Sequence, residues 1–176
     1  MPRFSNIQRQ WLIGALPALF DRVHAANGTT SLDPNWDPTE GWNGGLIELL
    51  GKVDVFLPNA MEATRLAHTS DIAGAVRSLA ERAGLVVVKN GDHGAIACRG
   101  DEYLTSPAVP ADTVDTTGAG DSFDAGFLAA WLGGEPLERA LAIANACGAL
   151  STRVSGGTGA QPTMDEALSA LEVSAA

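Results

Sequence analysis

The residues best suited to bind a ligand or react with it form a short run in which three small residues precede a carboxylate. Gly118, Ala119 and Gly120 are followed directly by Asp121, where a strongly apolar segment begins. Small residues let a ligand approach the backbone closely. At the start of a helix, unpaired N–H groups and the positive end of the helix dipole also attract anions. The run therefore predicts an anion site with a carboxylate beside it.

Asp121 has two interpretations, which the local pattern leaves about equally open. A carboxylate beside bound phosphate is repelled by it, so its presence suggests that it accepts a proton from a hydroxyl group attacking phosphorus. Such a general base typically accelerates a reaction by about 10²- to 10⁴-fold. The alternative is a carboxylate that only stabilises the start of a helix, by about 0.3–1 kcal/mol.

Two further segments carry polar residues suited to ligands. Asn59 and Glu62 are three residues apart, which places them on one helix face, and their oxygens suit hydrated Mg²⁺. A helix-capping Asn and a solvated Glu explain such a pair more often. Lys89, Gly91 and Gly94 follow an apolar run, and an ordinary turn is the simpler interpretation of that segment.

Short apolar strands alternate with helices, which predicts an α/β domain with a mostly parallel central sheet flanked by helices. Thr163 and Glu166 have the spacing of a capping box at the start of the last helix. We predict helices at 6–26, 46–50, 59–68, 71–83, 119–132, 137–153 and 163–171, strands at 29–32, 53–57 and 85–88, a hairpin of 94–98 with 102–105, and an extended stretch at 109–114.

Composition narrows the function. The chain has 176 residues, 45% of them hydrophobic, which predicts a single folded domain over 1–176. A net charge of -10 argues against nucleic-acid binding, which needs basic surfaces. No segment has 18 consecutive apolar residues, so we expect no membrane span and a cytoplasmic location. Cys98 and Cys147 form no CxxC motif and are expected to be free, buried thiols.

The run Asp115-Thr116-Thr117-Gly118-Ala119-Gly120-Asp121, followed by Ala125-Gly126-Phe127-Leu128, resembles the C-terminal signature of the ribokinase-like (PfkB) carbohydrate kinases. The resemblance implies a ribokinase-like layered fold. It also implies that Gly118, Ala119 and Gly120 form the anion hole for the transferring phosphoryl group. Asp121 then stands at the place of the catalytic base that activates the sugar hydroxyl.

The same resemblance implies metal ions. Asn59 and Glu62 are similar to the NxxE motif, which organises Mg²⁺ and its waters in the family. Asp115 and Thr117 match positions that hold a K⁺ ion in some members.

The resemblance further implies an ATP site. Lys89 and Gly91, with Gly94, are similar to a segment that lines the ATP phosphates and ribose, although Asn90 stands where Leu is common. Asn145 matches an asparagine at the adenine pocket, whereas a polar residue on an apolar helix more often bonds to backbone. Beyond the ATP site, Asp37 stands where many family members have an arginine.

The resemblance covers residues 11–172 but only the latter part of a family kinase. The first half of such kinases supplies most sugar contacts, and we find no match to it upstream of residue 29. We therefore expect a fold that is incomplete at the N-terminal side. An uncovered strand edge invites pairing. The expected partners are ATP, a sugar, and either a second copy of the chain or a complementing N-terminal half.

Three functions follow as hypotheses. The first is ATP-dependent phosphorylation of a sugar hydroxyl by a PfkB-type carbohydrate kinase. The second is a truncated, noncatalytic remnant that binds nucleotide or a partner. The third, weaker hypothesis is a nucleoside kinase on the same fold.

Overall fold

The structure, a computed structural model, describes residues 6–35, 42 and 45–174. These residues form seven α-helices, five strands and two short 3-10 helices, Leu50–Lys52 and Gly91–His93. The helices are α1 (Asn6–Ala25), α2 (Leu46–Leu49), α3 (Ala60–Leu66), α4 (Ile72–Ala80), α5 (Ala119–Leu132), α6 (Leu137–Ser151) and α7 (Met164–Ser174). The strands are β1 (Ser31–Leu32), β2 (Val55–Phe56), β3 (Leu85–Lys89), β4 (Ala95–Arg99) and β5 (Glu102–Ser106). Asp37 lies outside the described residues.

The five strands lie in one mixed sheet in the order β1-β2-β3-β4-β5. Strands β1, β2 and β3 pair in parallel, with Leu32 opposite Phe56 and Phe56 opposite Val86. Strands β4 and β5 are joined by a two-residue turn at Gly100 and Asp101, as expected of an antiparallel hairpin. The predicted α/β fold and the predicted hairpin are confirmed.

The contacts of the backbone divide the chain into two compact units. The first unit comprises Met1–Val88 and Cys98–Glu102, and the second comprises Lys89–Ala97 and Tyr103–Ala176. In the first unit, both residues of β2 and the first four residues of β3 are buried, as expected for parallel strands covered on both faces. In the second unit, α5 packs on α6, and Phe127 and Leu141 are fully buried.

Glycine allows a close approach between α5 and α6. A Cβ atom added at Gly126 would lie 2.6 Å from Sγ of Cys147, so only glycine fits at this crossing. Cys147 and Cys98 are both buried, free thiols. None of the described helices is both long and apolar enough to cross a lipid bilayer.

Side-chain caps define where several helices begin. Asp71 accepts hydrogen bonds from the N–H groups of Ala73 and Gly74 at the start of α4. At the start of α7, the Thr163 N–H donates to Glu166 Oε2 at 2.7 Å, and the Glu166 N–H donates to Thr163 Oγ1 at 3.3 Å. The predicted capping box is confirmed.

The predicted bounds of α5 coincide with those observed, β3, β5 and α7 extend beyond their predicted ends, and some predicted segments are shorter in the structure. The strand predicted at 53–57 forms a ladder only at Val55–Phe56. The stretch 109–114 forms no strand. Pro110 lies in that stretch, and proline has no N–H group to donate to a sheet.

The connection between β3 and β4 is a tight loop built on two glycines with positive φ. Gly91 has φ +56° and Gly94 has φ +80°. The Asn90 N–H donates to the Gly94 carbonyl at 2.8 Å, which closes the loop. A Cβ atom at Gly94 would lie 2.0 Å from the Ser106 carbonyl oxygen, whereas one at Gly91 would meet no atom within 4 Å.

We expect Gly94→Ala to lower the free energy of unfolding by roughly 4 kcal/mol, because backbone strain adds to an overlap with backbone atoms. Urea titration followed by circular dichroism measures this loss. Gly91→Ala is the matched control, with an expected loss of about 1–2 kcal/mol from the left-handed backbone alone. Equal losses in the two variants would contradict the close approach at Gly94.

Candidate functional site

The turn that precedes α5 is fixed by Gly118. This residue has φ +76°, in the left-handed region that favours glycine, and it occupies the position just before the helix. A Cβ atom there would lie 2.6 Å from the Gly157 carbonyl oxygen. Both backbone conformation and space therefore require glycine at this position.

Several N–H groups at this helix start have no hydrogen-bond acceptor among the described residues, namely those of Gly118, Gly120 and Asp121. By contrast, the Ala119 N–H donates to the Thr116 carbonyl at 3.2 Å. Unpaired N–H groups at a helix start favour a bound anion. The predicted run of three small residues thus offers the N–H groups of Gly118 and Gly120, and Asp121 adds a third that the sequence analysis missed.

The Asp121 side chain is exposed, although Asp121 directly follows the glycine turn and is itself followed by buried residues of α5. It is in the first turn of α5, and no side chain caps this helix by a hydrogen bond. Among the described residues, no hydrogen bond or ion pair of its carboxylate is found. Asp121 therefore meets the requirement that a proton acceptor be open to a ligand. A carboxylate that only stabilises the helix start through the dipole needs no hydrogen bond either, so the role of Asp121 stays a prediction.

Lys89 forms an ion pair that the sequence analysis did not predict. Its Nζ donates to both carboxylate oxygens of Asp124 at 3.0 Å, and the two side chains are only 13% and 14% exposed. Asp124 lies one helical turn after Asp121. The sequence did contain a signal for this pair. Asp124 follows Asp121 by three positions in a largely apolar helix, and a buried carboxylate is rarely unpaired, so a cationic partner could have been expected.

The Asp115 carboxylate joins two loops. Its Oδ1 accepts the Thr117 N–H at 2.9 Å and the Thr117 hydroxyl at 2.7 Å, and its Oδ2 accepts the Gly156 N–H at 2.9 Å. The hydrogen bond from the Gly156 N–H, followed by those from Thr117, lowers the pKa of Asp115 to about 2. Asp115 is thus held as a carboxylate, a form that also suits a cation.

The remaining predicted nucleotide contacts have structural roles in the second unit. Asn145 is 7% exposed, and its side-chain N–H₂ donates to the carbonyls of Ser106 at 3.2 Å and Pro107 at 3.0 Å. Gly94 is buried in the loop that follows β3, and Gly91 is exposed. The adenine contact of Asn145 and the phosphate contacts of Gly91 and Gly94 stay predictions.

Asn59 and Glu62 belong to the first unit and form a reciprocal capping box at the start of α3. The Glu62 N–H donates to Asn59 Oδ1 at 2.9 Å, and the Asn59 N–H donates to Glu62 Oε2 at 2.8 Å. Glu62 is 4% exposed and therefore not the solvated residue of the simpler interpretation. Asn59 does cap the helix. Their role with Mg²⁺ stays a prediction.

The second unit brings together part of the predicted set. The side chain of Lys89 passes 3.8 Å from the position that a Cβ atom of Gly120 would take. Asp115 and Thr117 are joined by hydrogen bonds, and Gly118 contacts Gly157. No cluster of three or more metal-binding acidic, His or Cys side chains is found in the described part of the chain.

Comparisons with known proteins give one consistent result. The chain is 34% identical over 139 residues to fructoselysine 6-kinase of Shigella flexneri, covering 78% of this chain and 50% of the relative. It is 36% identical over 129 residues to cytidine kinase of Thermococcus kodakarensis, covering 71% and 46%. The chain thus spans about half the length of these relatives.

A solved structure agrees over a similar share. The E. coli protein called ribokinase II, in complex with ATP and Mg²⁺, matches with a TM-score of 0.82 and 28% sequence identity, over 92% of this chain and 54% of that one. Residues 18–164 match the pfkB family carbohydrate kinase profile. Since this match includes the glycine turn and Asp121, the chain belongs to the PfkB carbohydrate kinase family.

Proposed function

We propose that this chain supplies the nucleotide-binding part of an ATP-dependent carbohydrate kinase, with Asp121 as the catalytic base. The observation that carries the proposal is the exposed Asp121 carboxylate beside the N–H groups of Gly118 and Gly120, none of which has a hydrogen-bond partner within the described part of the chain. A passive helix-start carboxylate explains the position of Asp121. The family match over residues 18–164, which includes the glycine turn and Asp121, favours the catalytic role.

In the proposed reaction, the terminal phosphate of ATP binds at the N–H groups of Gly118, Gly120 and Asp121. The helix dipole and these donors stabilise the charge on its oxygens. A sugar hydroxyl oxygen then forms a bond to phosphorus as the bond to the ADP oxygen breaks, and ADP leaves with that electron pair. The hydroxyl proton passes to the Asp121 carboxylate.

Cations complete the proposal. Mg²⁺, when bound, neutralises charge on the phosphates. Asn59 and Glu62 have suitable oxygens. Asn59 Oδ1 and Glu62 Oε2 each already accept a backbone N–H, so we assign these residues to contact Mg²⁺ through its bound waters. Asp115 and Thr117 would hold K⁺, and the low pKa of Asp115 keeps its charge available. Lys89, Gly91, Gly94 and Asn145 are assigned to the nucleotide.

Two alternatives stay open. The first is a noncatalytic remnant that binds nucleotide without turnover. The relative named cytidine kinase favours a nucleoside as the phosphate acceptor. Calorimetry with Mg·ATP, followed by an ADP-release assay over sugars and nucleosides, separates the three: binding without turnover supports the remnant, and turnover with cytidine but no sugar supports the nucleoside kinase.

We expect Asp121→Asn to lower kcat by about 10²- to 10⁴-fold, because the proton acceptor is lost. The dissociation constant of Mg·ATP should stay within about threefold, since the phosphate-binding N–H groups remain and a repulsive charge is removed. The ADP-release assay and calorimetry measure the two effects.

Asp165→Asn is the matched control, because Asp165 is also an exposed aspartate in the first turn of a helix, α7. Its kcat should equal that of the wild type. If Asp121→Asn and Asp165→Asn turn over the same sugar at the same rate as wild type, Asp121 is not the base.

The Mg²⁺ assignment is tested with Glu62→Gln, which keeps the capping box because Gln also serves at its third helical position. The affinity for ATP in the presence of Mg²⁺ should fall roughly tenfold, since the charge that attracts Mg²⁺ is removed. Affinity without Mg²⁺ should not change. Glu166→Gln makes the same change in the capping box of α7 and should leave both affinities unchanged. An unaltered Mg²⁺ effect in Glu62→Gln would leave Glu62 with a capping role alone.

A further inference from the structure

The geometry of the ion pair between Lys89 and Asp124 suits a role in ligand binding as well as in stability. Lys89 is the last residue of β3, and ligands of α/β sheets bind at the carboxyl ends of parallel strands. Its ammonium is held by both oxygens of Asp124 at 3.0 Å, so it has a defined place. Asp124 belongs to α5, the helix whose first turn carries the unpaired N–H groups.

The ammonium lies beside the glycine turn. Measured from the position that a Cβ atom of Gly120 would take, Cδ, Cε and Nζ of Lys89 lie at 3.8, 3.9 and 4.0 Å. A phosphate bound to the Gly120 N–H would therefore have a positive charge nearby. Since the pair is only 13% and 14% exposed, water screens that charge weakly.

We propose that Asp124 is a positioning residue that holds the Lys89 ammonium beside Gly120, where it supplies a fixed positive charge to phosphate bound at the glycine turn. Asp124 touches no reacting atom in this proposal. It acts through Lys89 alone. The inference rests on the proposed function, because it requires phosphate to bind at this turn.

A purely structural ion pair makes a different prediction. Buried ion pairs are weak evidence for stability, because the desolvation of the two charges offsets much of their attraction. If the pair only joined β3 to α5, its removal would change the free energy of unfolding but not the affinity of the folded chain for ATP. A positioning role makes the effect of Asp124 on affinity depend on whether the lysine is present.

The experiment measures the Mg·ATP dissociation constant by calorimetry, well below the melting temperature, for wild type, Lys89→Met, Asp124→Asn and the double variant. We expect Lys89→Met to weaken binding about tenfold or more, because one charge contact is lost and the Asp124 carboxylate no longer has the Lys89 ammonium beside it. With Lys89 present, Asp124→Asn should weaken binding about threefold, because the ammonium loses its fixed place. With Lys89→Met already made, Asp124→Asn should tighten binding, because it removes that carboxylate.

This reversal of sign is a readout that a structural role does not produce. Tighter binding by Asp124→Asn when Lys89 is present would overturn the proposal, since Asp124 would then shield the ammonium from phosphate. Unchanged affinity in all three variants would overturn it as well. If Lys89→Met does not fold, the uncharged double variant is compared with wild type. Equal affinity of these two proteins for Mg·ATP would also overturn the proposal.

Lys52→Met is the matched control, since Lys52 forms an exposed ion pair with Asp21 in the other unit. It should bind Mg·ATP as wild type does. If wild type itself binds no Mg·ATP, the proposed function fails and this inference fails with it. If wild type binds and the variants do not differ from it, only the positioning role of Asp124 fails.

Discussion

The backbone of Gly118 is the constraint on which the candidate site depends. Its positive φ turns the chain into α5, and its missing side chain lets Gly157 approach to a distance that any Cβ atom would prevent. The Asp115 carboxylate secures the same junction from the other side, through the N–H groups of Thr117 and Gly156. Because the turn is fixed in this way, the N–H groups at the helix start point in defined directions before any ligand binds, which is the condition for electrostatic preorganisation.

The rigidity of that turn is continued by the packing of the helix itself. Gly126 lets α5 approach Cys147 of α6 closely, and Phe123 and Phe127 are buried on α5. Side chains in such a core occupy defined rotamers, so displacement of the helix is opposed along its length. Asn145 of α6 also donates hydrogen bonds to the carbonyls of Ser106 and Pro107 at the end of β5. The packing of α5 on α6 and the hydrogen bonds of Asn145 therefore hold α5, α6 and the end of β5 in fixed positions.

Local sequence patterns predicted those features of the fold that short-range interactions determine. The start of α5 at Ala119, the hairpin at Gly100 and the capping box of Thr163 follow from short-range rules of turn and helix formation, and the structure has all three. The ion pair of Lys89 with Asp124 was missed because 35 positions separate its partners. No periodicity connects a residue at a strand end with one inside a later helix. Likewise, the contact of Gly118 with Gly157 arises from tertiary packing alone.

Asp115, Asp121 and Asp124 lie within ten positions of one another near the proposed anion site, in a chain whose net charge is already -10. Negative charges so close to a phosphate would oppose its binding unless each is compensated. Backbone N–H groups compensate Asp115, and an ammonium compensates Asp124. Among the described residues, Asp121 has no such partner. An uncompensated charge next to the proposed phosphate site weakens binding. A general base that receives the proton of the incoming hydroxyl, as proposed above, would account for it. An exposed carboxylate in the first turn of α5 fits both interpretations of Asp121, and its role as the base stays a proposal.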